Sequence, residues 1–170
     1  LTGVKSAEEC LRLHFGESLV LLNHAAVEGP LLDIGSGAGF PGLALKIFLP
    51  ELPVTLLEPS SKKRAFLKEV ARTLNLQGVE VSATRWEELF SQAKYPAFKT
   101  VTTRALGGQE AMAERSASVL APGGKFCLWT NRSRQQEIFS RTDRFEWQVP
   151  IPIPGTRDRI ILVGAKARFT

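Results

Sequence analysis

The run Leu31-Leu32-Asp33-Ile34-Gly35-Ser36-Gly37-Ala38-Gly39-Phe40-Pro41-Gly42 narrows the possible folds more than any other part of the chain. A short apolar stretch carrying one acid stops at a glycine-rich turn, and a proline follows where a helix can open. Proline is harmless in a first helical turn, because the N–H it lacks would have no partner inside the helix. Glycines permit positive φ and let backbone approach a ligand closely. The order is that of a buried strand feeding a tight loop at a helix N-terminus, the place where α/β proteins hold nucleotide-like cofactors. The plain alternative is a strand-to-helix turn with no ligand.

The rest of the chain repeats this strand–helix alternation. Ser6-Ala7-Glu8-Glu9 has the form of a capping box and opens an amphipathic helix to about Ala26. Strands are expected at Leu31–Ile34, Val54–Leu57, Val79–Ala83, Thr100–Thr103 and Phe126–Trp129. Helices are expected at Pro41–Phe48, from Ser60 or Ser61 to about Leu74, at Trp86–Phe90, at Glu110–Leu120 and over residues 132–140. Pro122-Gly123-Gly124 has turn chemistry. Phe145–Val149 and Arg159–Gly164 are β-like, and the proline-rich Pro150–Gly155 between them cannot be a central strand. Five alternating rounds followed by two consecutive strands predict a doubly wound α/β fold. Five strands lie parallel through right-handed crossovers, and a terminal antiparallel pair completes a mostly parallel seven-stranded sheet.

With 170 residues and no internal repeat or linker, the chain is expected to form one domain, residues 1–170, with 1–28 as a leading helical segment. Lys and Arg number 22 against 17 Asp and Glu, and the net charge of +5 permits a polyanionic partner without requiring one. Cys10 and Cys127 lack metal-type spacing and are expected to be thiols in a reducing compartment. No apolar run approaches the ~20 residues that span a membrane, and no signal peptide is evident, so a cytoplasmic protein is expected. His14 and His24 lack the neighbours that metal or triad chemistry requires and are expected to be structural; no metal site is expected.

Several residues fit a cofactor at the loop. Gly37-Ala38-Gly39-Phe40-Pro41-Gly42 satisfies G-x-G-x-x-G, and Glu58 closes the second strand 23 residues after Gly35, near the spacing of a ribose-binding acid. Asp33, just before the glycines, would repel a diphosphate but not a cationic cofactor with an amino-acid tail, which favours S-adenosylmethionine over NAD. Arg85-Trp86-Glu87-Glu88 follows the third strand, where a ring or backbone can meet an adenine; the alternative for Trp86 is a core position. Arg104 follows the fourth strand, at the crevice edge of such a sheet, and is placed to meet cofactor or substrate; the alternative is a surface arginine at a strand end. Lys62-Lys63-Arg64 open a helix whose dipole disfavours cations there, which points to contact with a phosphate backbone; the alternative is a solvated charged face. Arg132, Arg134, Arg141, Arg144, Arg157 and Arg159 add basic character to the last third.

Taken in order, the glycine loop, Leu57-Glu58-Pro59-Ser60-Ser61-Lys62-Lys63-Arg64-Ala65-Phe66-Leu67, Arg85-Trp86-Glu87-Glu88 and Thr103-Arg104-Ala105 closely resemble the RsmG family. These are small-subunit ribosomal RNA guanine-N7 methyltransferases, also called glucose-inhibited division protein B. The resemblance covers nearly the whole chain, and His14-Phe15-Gly16-Glu17-Ser18 is similar to the stretch before the family's catalytic domain. It implies a Rossmann-like class I methyltransferase fold whose first N-terminal helices are missing here. The implied activity is methyl transfer from S-adenosylmethionine to guanine N7 of 16S RNA, free or in the small subunit, by a monomer. By position it implies Gly35, Phe40, Glu58, Trp86, Glu87 and Arg104 at the cofactor; Gly37 and Gly39 of the same loop are expected there with them, and Lys62, Lys63 and Arg64 at the RNA. Guanine N7 carries no proton, so no general base is implied. Glu58 stands where the family usually has Asp, Lys99 where it usually has an acid, and Thr130-Asn131 where it tends to have Lys-Gly. A methyltransferase with another substrate, a non-catalytic RNA-binding relative and an NAD-type dehydrogenase are the competing readings.

Overall fold

A computed structural model describes residues 6–91, 97–104, 107–141 and 143–167. Its sheet has eight strands: β1 (Leu31–Ile34), β2 (Val54–Leu57), β3 (Val79–Ser82), β4 (Phe98–Arg104), β5 (Leu120–Asn131), β6 (Phe145–Trp147), β7 (Ile151–Pro152) and β8 (Arg159–Lys166). They lie in the order β3-β2-β1-β4-β5-β8-β6, with β7 also on β8. Strands β3, β2, β1, β4 and β5 pair in parallel, while β8 runs antiparallel between β5 and β6. The order reverses direction between β1 and β4, which makes that point the switch where ligands settle in open α/β sheets.

Helices cover both faces. Residues 7–23 form α1, a continuous helical run that is α over Ala7–Cys10, π over Leu11–Gly16, α over Glu17–Leu19 and 3-10 over Val20–Asn23. Ser6 caps it, its hydroxyl accepting from the Glu9 N–H at 3.1 Å. The others are α2 (Gly42–Phe48), α3 (Ser61–Thr73), α4 (Trp86–Ser91), α5 (Gln109–Ser116) and α6 (Gln135–Ser140), the last preceded by a 3-10 turn at Arg132–Arg134. Side chains alternate across a strand, so neighbours serve opposite layers. Leu32, Ile34 and Leu57 pack with Leu89 of α4, Met112 of α5 and Ile138 of α6. Leu31, Val54 and Leu56 pack with Leu43 and Leu45 of α2 and Leu67 of α3. Farther along that second face, Leu21 of α1 closes over Cys127, Trp129, Ile161 and Val163.

Several expected elements differ in the structure. The leading helix ends at Asn23 rather than near Ala26. The α5 helix stops at Ser116 because Leu120 already pairs with Phe98 as the start of β5. Pro122-Gly123-Gly124 therefore turns inside β5, where the register with β4 shifts, with Gly123 at φ 72°. The proline-rich segment supplies an eighth, two-residue strand. It continues the edge begun by β6, on the outer side of β8, where the missing proline donors leave no ladder bond unmade.

Candidate cofactor cleft and arginine cavity

The glycine loop is held by bonds within the protein. Gly35, Gly37 and Gly39 take positive φ (71°, 57° and 97°), which only glycine adopts without strain. The N–H groups of Gly35 and Ser36 both donate to the Leu57 carbonyl, and those of Gly39 and Phe40 to the Ser36 carbonyl. The Gly37 N–H donates to Glu58 Oε2 at 3.0 Å, and the Gly42 N–H to Asp33 Oδ2 at 3.2 Å. Asp33 is fully buried, and its other oxygen accepts from the Thr102 hydroxyl at 2.8 Å. A Cβ at Gly42 would lie 2.7 Å from that carboxylate and 2.6 Å from Leu56 Cδ2, so only glycine lets the helix start approach β1 this closely. Asp33 is thus a built-in anion at the start of α2, filling the place where a phosphate would bind. It does not line the cleft. The carboxylate expected from the sequence to repel a diphosphate thus occupies the helix start rather than facing a cleft.

Beside the loop lies a cleft of about 140 Å³ lined by Ile34, Gly35, Leu57, Pro59, Thr84, Arg85, Trp86, Glu87 and Gly107. Its walls are mostly apolar, and its room equals roughly four or five water molecules, the scale of one flat ring system. Trp86 meets Phe90 edge to face at 5.5 Å and carries the Arg115 guanidinium 5.6 Å above its ring, so it is both wall and core margin. Glu58 is buried behind the cleft, its second oxygen accepting from the Ser60 N–H at 2.9 Å. Both bonds are to backbone, and each oxygen keeps a lone pair for another donor.

The remaining expected residues lie apart. Phe40 turns away from this cleft and stacks on His14 at 4.9 Å, with Phe15 edge-on at 5.0 Å. Arg64 points one guanidinium nitrogen back at the carbonyls of Glu58 (3.0 Å) and Pro59 (2.6 Å), while Lys62 is exposed and Lys63 half-buried. Arg104 belongs to a second cavity of about 320 Å³ at the ends of β4 and β5, shared with Gln109, Trp129, Thr130, Asn131, Arg134 and Arg159. Register places the two sites side by side: Ile34 is opposite Thr103, and Arg104 is opposite Trp129.

Residues 1–153 match the GidB family, described as rRNA small subunit methyltransferase G. The chain is 37% identical over 138 residues to the ribosomal RNA small subunit methyltransferase G of Thermotoga neapolitana, covering 81% of this chain and 60% of that protein. It is 41% identical over 143 residues to the protein of that name from Moorella thermoacetica, covering 81% and 59%. The chain belongs to the GidB family. It spans about 60% of the length of these relatives. Among solved structures, the ribosomal protein L11 methylase from Lactobacillus delbrueckii subsp. bulgaricus superposes with a TM-score of 0.72 at 14% identity, covering 90% of this chain and 77% of that one. The fold is that of class I methyltransferases, as expected from the sequence.

Two departures from the family pattern now have places. Lys99 pairs with Glu28 at 3.2 Å on the surface, near the start of β4 and at the opposite end of that strand from Arg104. Thr130 lines the arginine cavity and donates its hydroxyl to Gln109 Oε1 at 2.7 Å. The side chains that sequence reasoning did not bring to the arginine cavity come from α1. Glu17, only 3% exposed, pairs with Arg104 at 3.0 Å and with Arg159 at 2.6 Å. His14, expected to be merely structural, lies with Nδ1 3.2 Å from the Arg104 guanidinium. A guanidinium only donates, so Nδ1 accepts and Nε2 carries the proton. Burial, with Arg104 nearby, holds this imidazole below its ordinary pKa. The only sequence signal for either residue was their place in a family-like stretch.

Proposed function

We propose that the chain transfers a methyl group from S-adenosylmethionine to N7 of a guanine in 16S small-subunit ribosomal RNA, acting as a cytoplasmic monomer. Membership of the GidB family over residues 1–153 carries the reading. The loop supports the cofactor. Its N–H groups at Gly35, Ser36, Gly37, Gly39, Phe40 and Gly42 are turned inward, leaving poor provision for a dinucleotide's phosphates. The residues present fit an adenosine: an apolar cleft at Trp86, and a buried carboxylate at Glu58 with lone pairs to spare.

When bound, S-adenosylmethionine supplies a methyl group made electrophilic by a sulfonium. Gly35 brings backbone to the cleft, Gly37 and Gly39 shape the loop, Trp86 and Glu87 hold the adenine, and Glu58 accepts from ribose. Phe40 acts at one remove, fixing the loop against α1. Arg104, held by Glu17, faces the substrate half of the crevice. Guanine N7 offers an in-plane lone pair with no proton to remove, so the chain needs to position rather than to deprotonate. Lys62 and Lys63 meet the RNA backbone, and Arg64 keeps the loop beneath them in shape. The reaction calls for no metal, and the described residues contain no His/Cys/Asp/Glu cluster able to hold one. No described helix is long and apolar enough to cross a membrane.

Calorimetric titration with S-adenosylmethionine and with NADH, followed by transfer of labelled methyl to unmodified small-subunit RNA, tests this. Binding of the first alone, with label appearing at guanine N7, is expected. Binding of NADH alone would overturn the cofactor. Cofactor binding without transfer to this RNA would favour another substrate or a non-catalytic relative.

A further inference from the structure

We propose that the cavity at the ends of β4 and β5 is an anion site that takes a phosphodiester of the polynucleotide substrate, an inference resting on the RNA reading above. Arg104, Arg134 and Arg159 line it and no carboxylate does; Glu17 and Glu110 stand behind the wall. Arg104 and Arg159 share the single carboxylate of Glu17, at 3.0 and 2.6 Å. Arg134 has only a longer pairing to Glu110, at 3.7 Å. Three guanidinium groups around a cavity set against two buffering acids leave it electropositive.

Arg104 divides its donors unequally. Its Nη2 donates to the Leu13 carbonyl at 3.1 Å and to His14 Nδ1 at 3.2 Å, and lies 3.0 Å from Glu17 Oε2 as an ion pair. Its Nη1 is buried with no hydrogen-bond partner. A buried donor without an acceptor is costly, and an incoming anionic oxygen relieves that cost. The π-helical stretch Leu11–Gly16 brings the Leu13 carbonyl and His14 to this guanidinium, and such turns gather at functional sites. The scaffold therefore grips Arg104 through Nη2 and leaves Nη1 without an acceptor. Neighbouring strands lie about 4.8 Å apart, so the cavity sits roughly 10 Å from the end of β1 and the cofactor cleft. Asn131 and Arg134 are exposed at the outer wall, so a polymer can reach in.

The test is binding of a small-subunit RNA fragment over a salt series by wild type, Arg134→Ala, Arg134→Lys and Arg141→Ala, with S-adenosylmethionine affinity measured alongside. Arg134 has 45% of its side chain exposed, which suits it to substitution. Arg141, 57% exposed and paired with Glu137 on α6, is the control outside the cavity. Arg134→Ala is expected to weaken RNA binding roughly tenfold and to flatten the log–log salt slope by about 0.7–0.9, the contribution of one phosphate. Arg134→Lys should keep the slope, Arg141→Ala should leave it unchanged, and cofactor affinity should hold throughout. An unchanged slope in Arg134→Ala, an equal loss in Arg141→Ala, or no RNA binding by wild type would overturn the proposal. So would lost cofactor affinity with the RNA slope kept, which would give the cavity to the cofactor's carboxylate. Methyl transfer is read separately, so the site and the activity can fail independently.

Discussion

Asp33 has both carboxylate oxygens bound within the protein and no exposure to water. Burial raises its pKa to about 6, against the Thr102, Ser36 and Gly42 hydrogen bonds that lower it. The native state therefore holds a proton on Asp33 between about pH 4 and 6, where the unfolded chain has lost it. Stability contributed by this group is full below pH 4 and falls as pH rises to 6, by about 3 kcal/mol at 1.36 kcal/mol per unit. Asp33→Asn removes the titration but keeps an acceptor for the Gly42 N–H. Urea unfolding of both proteins at pH 4, 5, 6 and 7 should show wild type losing stability relative to Asp33→Asn across the window and a constant difference above it. Parallel curves would mean that Asp33 titrates alike in both states.

At the scale of elements, the buried Glu17 carboxylate is the charged tie between α1 and the sheet. Glu17 meets Arg159, 142 residues away in sequence, at 2.6 Å, and its backbone carbonyl accepts from the Trp129 indole N–H at 2.9 Å. Glu17→Gln keeps the shape and removes the charge, leaving Arg104 buried without its counter-ion. Removing one partner of a buried pair costs on the order of 3 kcal/mol. Urea denaturation should show that loss, whereas Glu28→Gln, which breaks an exposed pair to Lys99, should change stability by under about 1 kcal/mol. Equal effects would mean that α1 is held by its apolar face alone, through Leu21 and its neighbours.

At the scale of the whole molecule, α/β layers built on one sheet predict one cooperative unit. Trp86 on α4, Trp129 on β5 and Trp147 on β6 report from separate parts of it. Urea unfolding followed by tryptophan fluorescence and by far-ultraviolet dichroism should give coincident transitions. Separate midpoints would divide the 170 residues into more than one folding unit. The alternation of strand and helix was legible because each element writes its own period into local sequence. The glycine loop was legible because positive φ at Gly35, Gly37 and Gly39 is a local demand. Thus the doubly wound sheet, the five parallel strands and the position of the cleft beside Trp86 follow from the sequence by itself. The direction of Asp33, the retreat of Phe40 toward His14, and the union of Glu17, Arg104 and Arg159 do not. Each depends on how close two distant elements come and which side chain fills the gap between them. Those distances are set by the packing of α1 and α2 on the sheet, and no local pattern encodes them.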